Sequence, residues 1–382
     1  MQKSAAGRTG TIDLPLHGGK APQWLISRMK NLSSAIFEVM VEEYGRGEVL
    51  RRIADPLWFQ SLSSVLAYDW HSSGTTTVVC GVLKSVLDPS ELGIAVAGGK
   101  GRKAKDAPGE IEDIGLLFGI TGGKIEELKA TSRIVAKVDN ACLQDGYQLY
   151  HHAMFLSEDG EWAVIQQGLN DLHGYARRYQ WLSTIESFID EPHQGITGFV
   201  EKDVLDMTAK ASENCRKVST DLVCENTQRL KRLYESIRPP GQKSLSEWIE
   251  GERGYETHAF RLPKRVDWNT LRRVYEIQPK NYEELIQIQG VGPSTLRGLA
   301  LISELVYGEK ASWSDPVRYS FAFGGKDGVP YPVERYAMDE ASAVLKDAIN
   351  MAKLGKKDKI EAIKRLEVFL DEKSGNHRSI LK

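Results

Sequence analysis

The chain has 382 residues, of which 27% are charged and 41% hydrophobic, with a formal net charge of −2. That length exceeds one ordinary domain, and a balanced charge names no class of partner by itself. No apolar run is long enough to span a membrane, and "MQKSAAGRTGTIDLPLHGG" lacks the apolar core of a secretion signal, so a cytoplasmic protein is expected. The cysteines, Cys80, Cys142, Cys215 and Cys224, never form a CxxC spacing and read as free thiols rather than zinc ligands.

In chain order, "APQWLISRMKNLSSAIFEVMVEEYG" repeats apolar residues at helical spacing and is expected to stop at Gly45. "DPLWFQSLSSVLAYDW" opens a second helix with Asp55 as N-cap and Pro56 at its first position. "GTTTVVCGVLKSVL" continues as helix and "LGIAVAGG" as a buried strand. The basic stretch "AGGKGRKAK", with Lys100, Arg102, Lys103 and Lys105, is expected to be a flexible loop able to close on a nucleic-acid strand. "PGEIEDIGLLFG" and "ATSRIVAKVDNACLQ" return to the helical period.

A β-hairpin is expected from "YQLYHHAMFL", a turn in "SEDG", and "EWAVIQQG". A symmetric even-numbered loop centred on Glu158 and Asp159 would place His151 opposite Gln166. His151 would then share a face with Leu149, Ala153, Phe155, Trp162 and Val164. Beyond residue 200 the sequence becomes charge-rich and helical. The expected architecture is therefore α+β: a mixed α/β domain over residues 1–200, carrying the candidate catalytic groups, and a helical domain over 201–382.

Within the second part, "IQIQGVGPSTLRGLALISELV" places Gly290, Val291 and Gly292 between apolar helical runs, with Pro293 suited to a helix start. Such a turn presents backbone N–H groups and the positive end of a helix dipole to a phosphate. The stretch near 282–306 resembles the helix-hairpin-helix of DNA repair proteins. Gly290, Val291, Gly292, Ser294, Thr295 and Arg297 would line the backbone, with Arg272 and Arg273 close by. Repair glycosylases with this hairpin carry a nucleophilic lysine two residues after the second glycine, where this chain has Ser294, so lysine-type covalent catalysis is not expected. Their aspartate one helix later corresponds to Asp315, which before Pro316 also reads as a helix N-cap.

For chemistry, His151 is the expected acid–base or metal ligand, with Asp139 and Gln166 as neighbours and His17 and His71 as secondary members. Asp139, His151 and Gln166 could together take a divalent metal. Two further stretches, "LPLHGGKAPQWL" and "YDWHSSGTTTVV", offer His17, Lys20, Asp69 and His71 around turns that open helices, and either set can also be capping chemistry. Those stretches, with "AVAGGKG" and "VDNACLQDGYQLYHHAMFLSEDGEWAVIQQG", resemble a prokaryotic family catalogued as domain of unknown function seven-sixty-three. The resemblance implies an intracellular protein and transfers no catalytic residue. The expected function is a DNA-binding, repair-type protein hydrolysing phosphodiester or glycosidic bonds; the alternative is a non-catalytic DNA-binding or scaffold module. DNA would be bound through its backbone irrespective of sequence, and no membrane is expected as a partner.

Overall fold

A computed structural model describes residues 23–66, 74–172, 174–237, 262–263, 266–317 and 335–374. His17, Lys20, Asp69 and His71 lie outside the described residues. The first helix, α1 (Gln23–Ala54), is interrupted at Gly45, where φ of 80° breaks the helical run before it resumes. Asp55 then caps α2 (Pro56–Val65), accepting hydrogen bonds from the Leu57 and Trp58 amides at 2.7 and 2.9 Å. Helices α3 (Gly74–Val86) and α4 (Pro89–Leu92) lead into strand β1 (Ile94–Lys100), followed by α5 (Arg102–Leu117) and α6 (Gly122–Lys137). A five-residue π turn, Val138–Cys142, ends α6 and runs into β2 (Leu143–Gln144).

Strands β3 (Gln148–Ser157), β4 (Trp162–Asn170), β5 (Tyr175–Leu182), β6 (Gly195–Thr197) and β7 (Leu205–Asp206) come next. The remaining α-helices among the described residues are α7 (Glu213–Cys224), α8 (Thr227–Ser236), α9 (Trp268–Ile277), α10 (Tyr282–Gln287), α11 (Pro293–Tyr307), α12 (Arg335–Met351) and α13 (Lys356–Ser374). The protein is thus α+β. Its main sheet is antiparallel, in the order β1-β3-β4-β5-β6. No described helix is long and apolar enough to cross a membrane.

Helices cover both faces of this sheet. On one face α1, α2 and α3 lie over Ala153, Phe155, Ala163, Ile165 and Leu182, and α12 and α13 pack against α1 and α2 in the same core. On the other, Met154, Leu156, Val164 and Trp181 meet Ile134 and Val135 of α6, joined by Leu222, Leu285 and Leu299 from helices beyond residue 200. A strand buried on both faces has apolar residues at successive positions, so hydrophobic alternation does not reveal which side chain faces which way.

That is where the expected hairpin register fails. The Ser157 amide donates to the Glu161 carbonyl at 3.0 Å, so the turn enclosed by that pair has three residues, Glu158–Gly160, with Gly160 at φ 80° and its amide donating to the Ser157 carbonyl at 3.0 Å. An αL glycine closing a three-residue loop shifts the pairing by one relative to an even loop. His152, not His151, therefore lies opposite Gln166, and His151 lies opposite Gln167. One residue of slip exchanges the faces, so His151 shares its side with Ala153, Phe155, Ala163 and Ile165 instead.

The stretch "AGGKGRKAK" is also corrected: Lys100 ends β1, Gly101 turns, and Arg102, Lys103 and Lys105 form the first turn of α5. Gly98, at φ 88°, explains the tight approach there. A Cβ on it would stand 2.2 Å from the His152 carbonyl oxygen.

Candidate active site and nucleic-acid interface

Three doublets mark the centre of the sheet: His151-His152, Gln166-Gln167 and Arg177-Arg178. Because strand side chains alternate, each doublet sends one member to each face. The face covered by α6 receives His152, Gln166 and Arg177; the face covered by α1–α3 receives His151, Gln167 and Arg178.

On the α6 face the polar groups form one chain. Ser132 Oγ lies 2.9 Å from His152 Nε2, and His152 Nδ1 lies 2.9 Å from Gln166 Oε1. Gln166 Nε2 donates to Asp139 Oδ2 at 2.5 Å and to the Val135 carbonyl at 3.3 Å. Asp139 also accepts from Trp181 Nε1 at 2.9 Å and pairs with His193 Nε2 at 2.5 Å. These partners fix the proton positions. The Gln166 amide nitrogen must face the carboxylate and the carbonyl, so its oxygen accepts from His152 Nδ1–H. His152 Nε2 is then left as an acceptor, and Ser132 Oγ–H donates to it. Burial lowers the His152 pKa, which keeps the ring neutral, as this tautomer requires.

Local structure sets up the chain. Ser132 and Asp139 are seven residues apart, two helical turns, and so fall on one stripe of α6 and its extension. The π turn adds a residue to the last turn and holds Asp139 wholly buried against Gln166 and Trp181.

Ser132, His152 and Gln166 line a cleft of about 400 Å³, together with Gly101, Lys105 and Arg133. Gly101 is the N-cap of α5 and supplies no side-chain cap, so the Arg102 and Lys103 amides are uncapped beside the cleft, while the Ala104 amide donates to the Gly101 carbonyl at 3.2 Å. Arg102, Lys103, Lys105 and Arg133 are exposed around it, and Lys100 Nζ lies 5.7 Å from the Tyr150 ring centroid.

The expected set of Asp139, His151 and Gln166 is therefore brought together only in part. Asp139 and Gln166 touch; His151 borders the same cleft but is paired with Gln167 rather than Gln166. Asp139 already accepts three hydrogen bonds, and no group of three metal-ligating side chains occurs among the described residues, so the expected metal triad does not form.

Asp315 neither caps a helix nor faces the glycine turn. Residues 315–317 are non-helical, and Asp315 pairs with Arg177 through both oxygens at 3.1 and 2.6 Å. Arg177 Nη1 also reaches Asp145 at 2.9 Å, and Tyr179 Oη donates to Asp145 at 2.6 Å. Burial would lower the Arg177 pKa, but the two carboxylates outweigh it and raise the pKa above its usual value.

The glycine turn joins α10 to α11. Gly290 adopts φ 95°, Val291 is buried, and Gly292 precedes Pro293 as the N-cap of α11 without a side-chain cap bond. Ser294 is exposed and Thr295 buried. Arg273 braces the turn, its Nη2 donating to the Gln289 carbonyl at 3.2 Å and to Thr270 Oγ1 at 3.0 Å. Arg272 is exposed, whereas Arg297 lies over the Trp313 ring, 5.1 Å from its centroid. Gln144, two residues past the π turn, donates to the Pro293 carbonyl at 2.8 Å and joins the glycine turn to the element that carries Asp139.

Ser132, His152, His193 and the two arginines escaped prediction. A serine inside a helix carries no motif, and the paired histidines were separable only by the register. Against known proteins, the profile of the family described as "Protein of unknown function (DUF763)" matches residues 10–333. No curated protein and no solved structure matches the chain.

Proposed function

Because the chain belongs to the DUF763 family, whose description carries no activity, we propose a function from its own residues: a DNA-binding hydrolase that cuts phosphodiester bonds in the cleft floored by Ser132 and His152. The observation that carries this reading is the 2.9 Å contact between Ser132 Oγ and a neutral His152 whose proton is held on the far nitrogen. This is the arrangement a hydroxyl nucleophile needs.

In the reaction, Ser132 Oγ attacks phosphorus while His152 Nε2 takes its proton. The bond from phosphorus to one sugar oxygen breaks, and that oxygen leaves with the proton from His152. Water then attacks the phosphoserine, losing its proton to His152, which returns it to Ser132. Gln166 and Asp139 orient the imidazole throughout, and the uncapped amides of α5 with Arg102, Lys103, Lys105 and Arg133 face the phosphoryl oxygens. Glycosidic hydrolysis is the weaker reading, since it calls for a carboxylate facing the substrate and Asp139 is buried and fully engaged.

The turn at Gly290–Gly292 supports the second half of the reading, an attachment to backbone phosphate through the Ser294 and Thr295 amides. Such binding would be independent of base sequence and weaken with salt. The test uses end-labelled single-stranded, duplex and lesion-bearing DNA with the full chain, with and without divalent metal. Cleavage lost in both Ser132→Ala and His152→Ala, with binding kept, supports the hydrolase. Binding with no cleavage by the wild-type protein would leave a non-catalytic DNA-binding module, and no binding at low salt would sink both.

A further inference from the structure

The two halves of α6 treat their basic residues differently. In the first half Lys124 pairs with Glu127 at 2.7 Å, and Lys129 pairs with Glu126 at 2.6 Å and Glu112 at 2.9 Å. In the second half Arg133 and Lys137 make no ion pair or hydrogen bond among the described residues, and neither does the Asn140 side chain in the π turn. Arg133 and Asn140 are exposed and Lys137 is half-buried. The one acidic residue from 133 to 144 is Asp139, which is wholly buried. The surface of this segment is therefore basic or neutral throughout.

Residues three and four apart on a helix are neighbours, so Arg133, Lys137 and Asn140 form one stripe. Both ends of that stripe are anchored. Arg133 lines the Ser132 cleft together with Lys105 and Ala136. At the other end Gln144 donates to the Pro293 carbonyl at 2.8 Å, and Arg297 Nη1 donates to Gln144 Oε1 at 3.4 Å. The stripe thus leads from the cleft to the first residue of α11, directly after the glycine turn. From Arg133 to Gln144 the chain advances eleven residues, roughly 16 Å at helical rise. A stacked DNA strand advances about 3.4 Å per nucleotide, so this length matches about five nucleotides.

We propose that Arg133, Lys137, Asn140 and Gln144 form a track for one DNA strand between the Ser132 cleft and the glycine turn, an inference that rests on the hydrolase reading of that cleft. The occupant is the sugar–phosphate backbone. Arg133 and Lys137, which the protein leaves without carboxylate partners, pair with phosphates, and the Asn140 amide donates to phosphate or sugar oxygens. The glycine turn then holds a phosphate about five nucleotides from the bond that is cut. It sets a register on the strand instead of acting as an independent attachment.

Fluorescence anisotropy of the full chain with labelled single-stranded DNA, from dinucleotides to strands of about ten nucleotides, tests the track. Ser132→Ala serves as the background so that the strands stay intact, and the wild type is measured beside it. Affinity should climb until strands reach about five nucleotides and gain little beyond. Adding Lys137→Gln should weaken the longer strands several-fold and lower their salt slope by about 0.7, with dinucleotide binding unchanged. Asn140→Asp, at an exposed position, should give the same pattern and keeps the test valid should Lys137→Gln fail to fold. Lys124→Gln, in the paired half of α6, should match the background at every length. Long strands that bind equally well in Lys137→Gln and Asn140→Asp, or as weakly in Lys124→Gln, would overturn the track alone. No binding by the wild type at any length would overturn the hydrolase reading with it.

Discussion

The two faces of the central sheet are built from the same residue types and treat them in opposite ways. On the α6 face, His152, Gln166 and the Nη groups of Arg177 are engaged, and the chain from Ser132 to His193 has a donor for each acceptor. On the α2 face, His151 and Arg178 are just as buried but lack partners for two nitrogens each. Burial therefore does not by itself say how a polar group is held. What distinguishes the two faces is whether the hydrogen bonds close among the protein's own atoms.

The largest effect expected from breaking the closed face is on chemistry. Ser132→Ala should lower DNA hydrolysis by ~10⁴-fold or more, with a thermal midpoint close to that of the wild type. Loss of activity with simultaneous unfolding would mean that the serine is structural. The next contrast is between the two arginines. Arg177→Met strands Asp145 and Asp315 in the interior and should cost about 3–5 kcal/mol in urea unfolding. Arg178→Met strands no carboxylate and should cost far less; equal losses would erase the distinction between the faces.

Histidine titration sharpens the comparison further. Burial first, then His152 and Lys100, push the His151 pKa to about 3, against about 6.5 in an unfolded chain. Above about 6.5 both states are neutral and no penalty exists. As pH falls from 6.5 towards 3 the unfolded chain takes up a proton that the folded one refuses, so stability declines through that window. At pH 4.5 the deficit from His151 is about 2.7 kcal/mol, and His151→Gln should remove it, as read from urea midpoints at pH 7 and 4.5. A pH dependence unchanged by that substitution would show that His151 is protonated in the fold.

Two smaller effects concern nucleic acid. Gly290→Ala sets a Cβ 2.5 Å from Thr270 Oγ1 at a positive φ, and should cost about 1–3 kcal/mol of stability and weaken DNA binding. Lys103→Glu should lower the salt dependence of DNA affinity by about one phosphate contact, measured by titration at several salt concentrations. An unchanged slope would place the backbone away from α5.

Much of the scaffold follows from short-range signals. Asp55-Pro56 opens α2, Gly45 breaks α1, and the glycine turn before Pro293 separates α10 from α11, because capping and left-handed turns depend on a few adjacent residues. Asp139 and Gln166 were identified as partners for the same reason that failed with His151: they were picked by residue type in a polar stretch. The assignment between His151 and His152 depended on one residue of loop length, which apolar residues on both faces could not arbitrate. The helix cap that Asp315-Pro316 suggests does not form, because the partner of Asp315, Arg177, lies 138 residues away, beyond any local pattern.

The three doublets also bear on how the sheet assembles. If β3 slid by one residue against β4, His151 would face Gln166 and a histidine–glutamine pair would form in either register. Side-chain identity thus favours neither alignment strongly, and a near-degenerate competitor lies close to the native fold. The arbiter is Gly160, whose left-handed turn admits the three-residue loop that sets His152 opposite Gln166. A residue inserted between Glu158 and Gly160 would therefore act as a frameshift written in space, exchanging every side chain of the strand between the two halves of the interior.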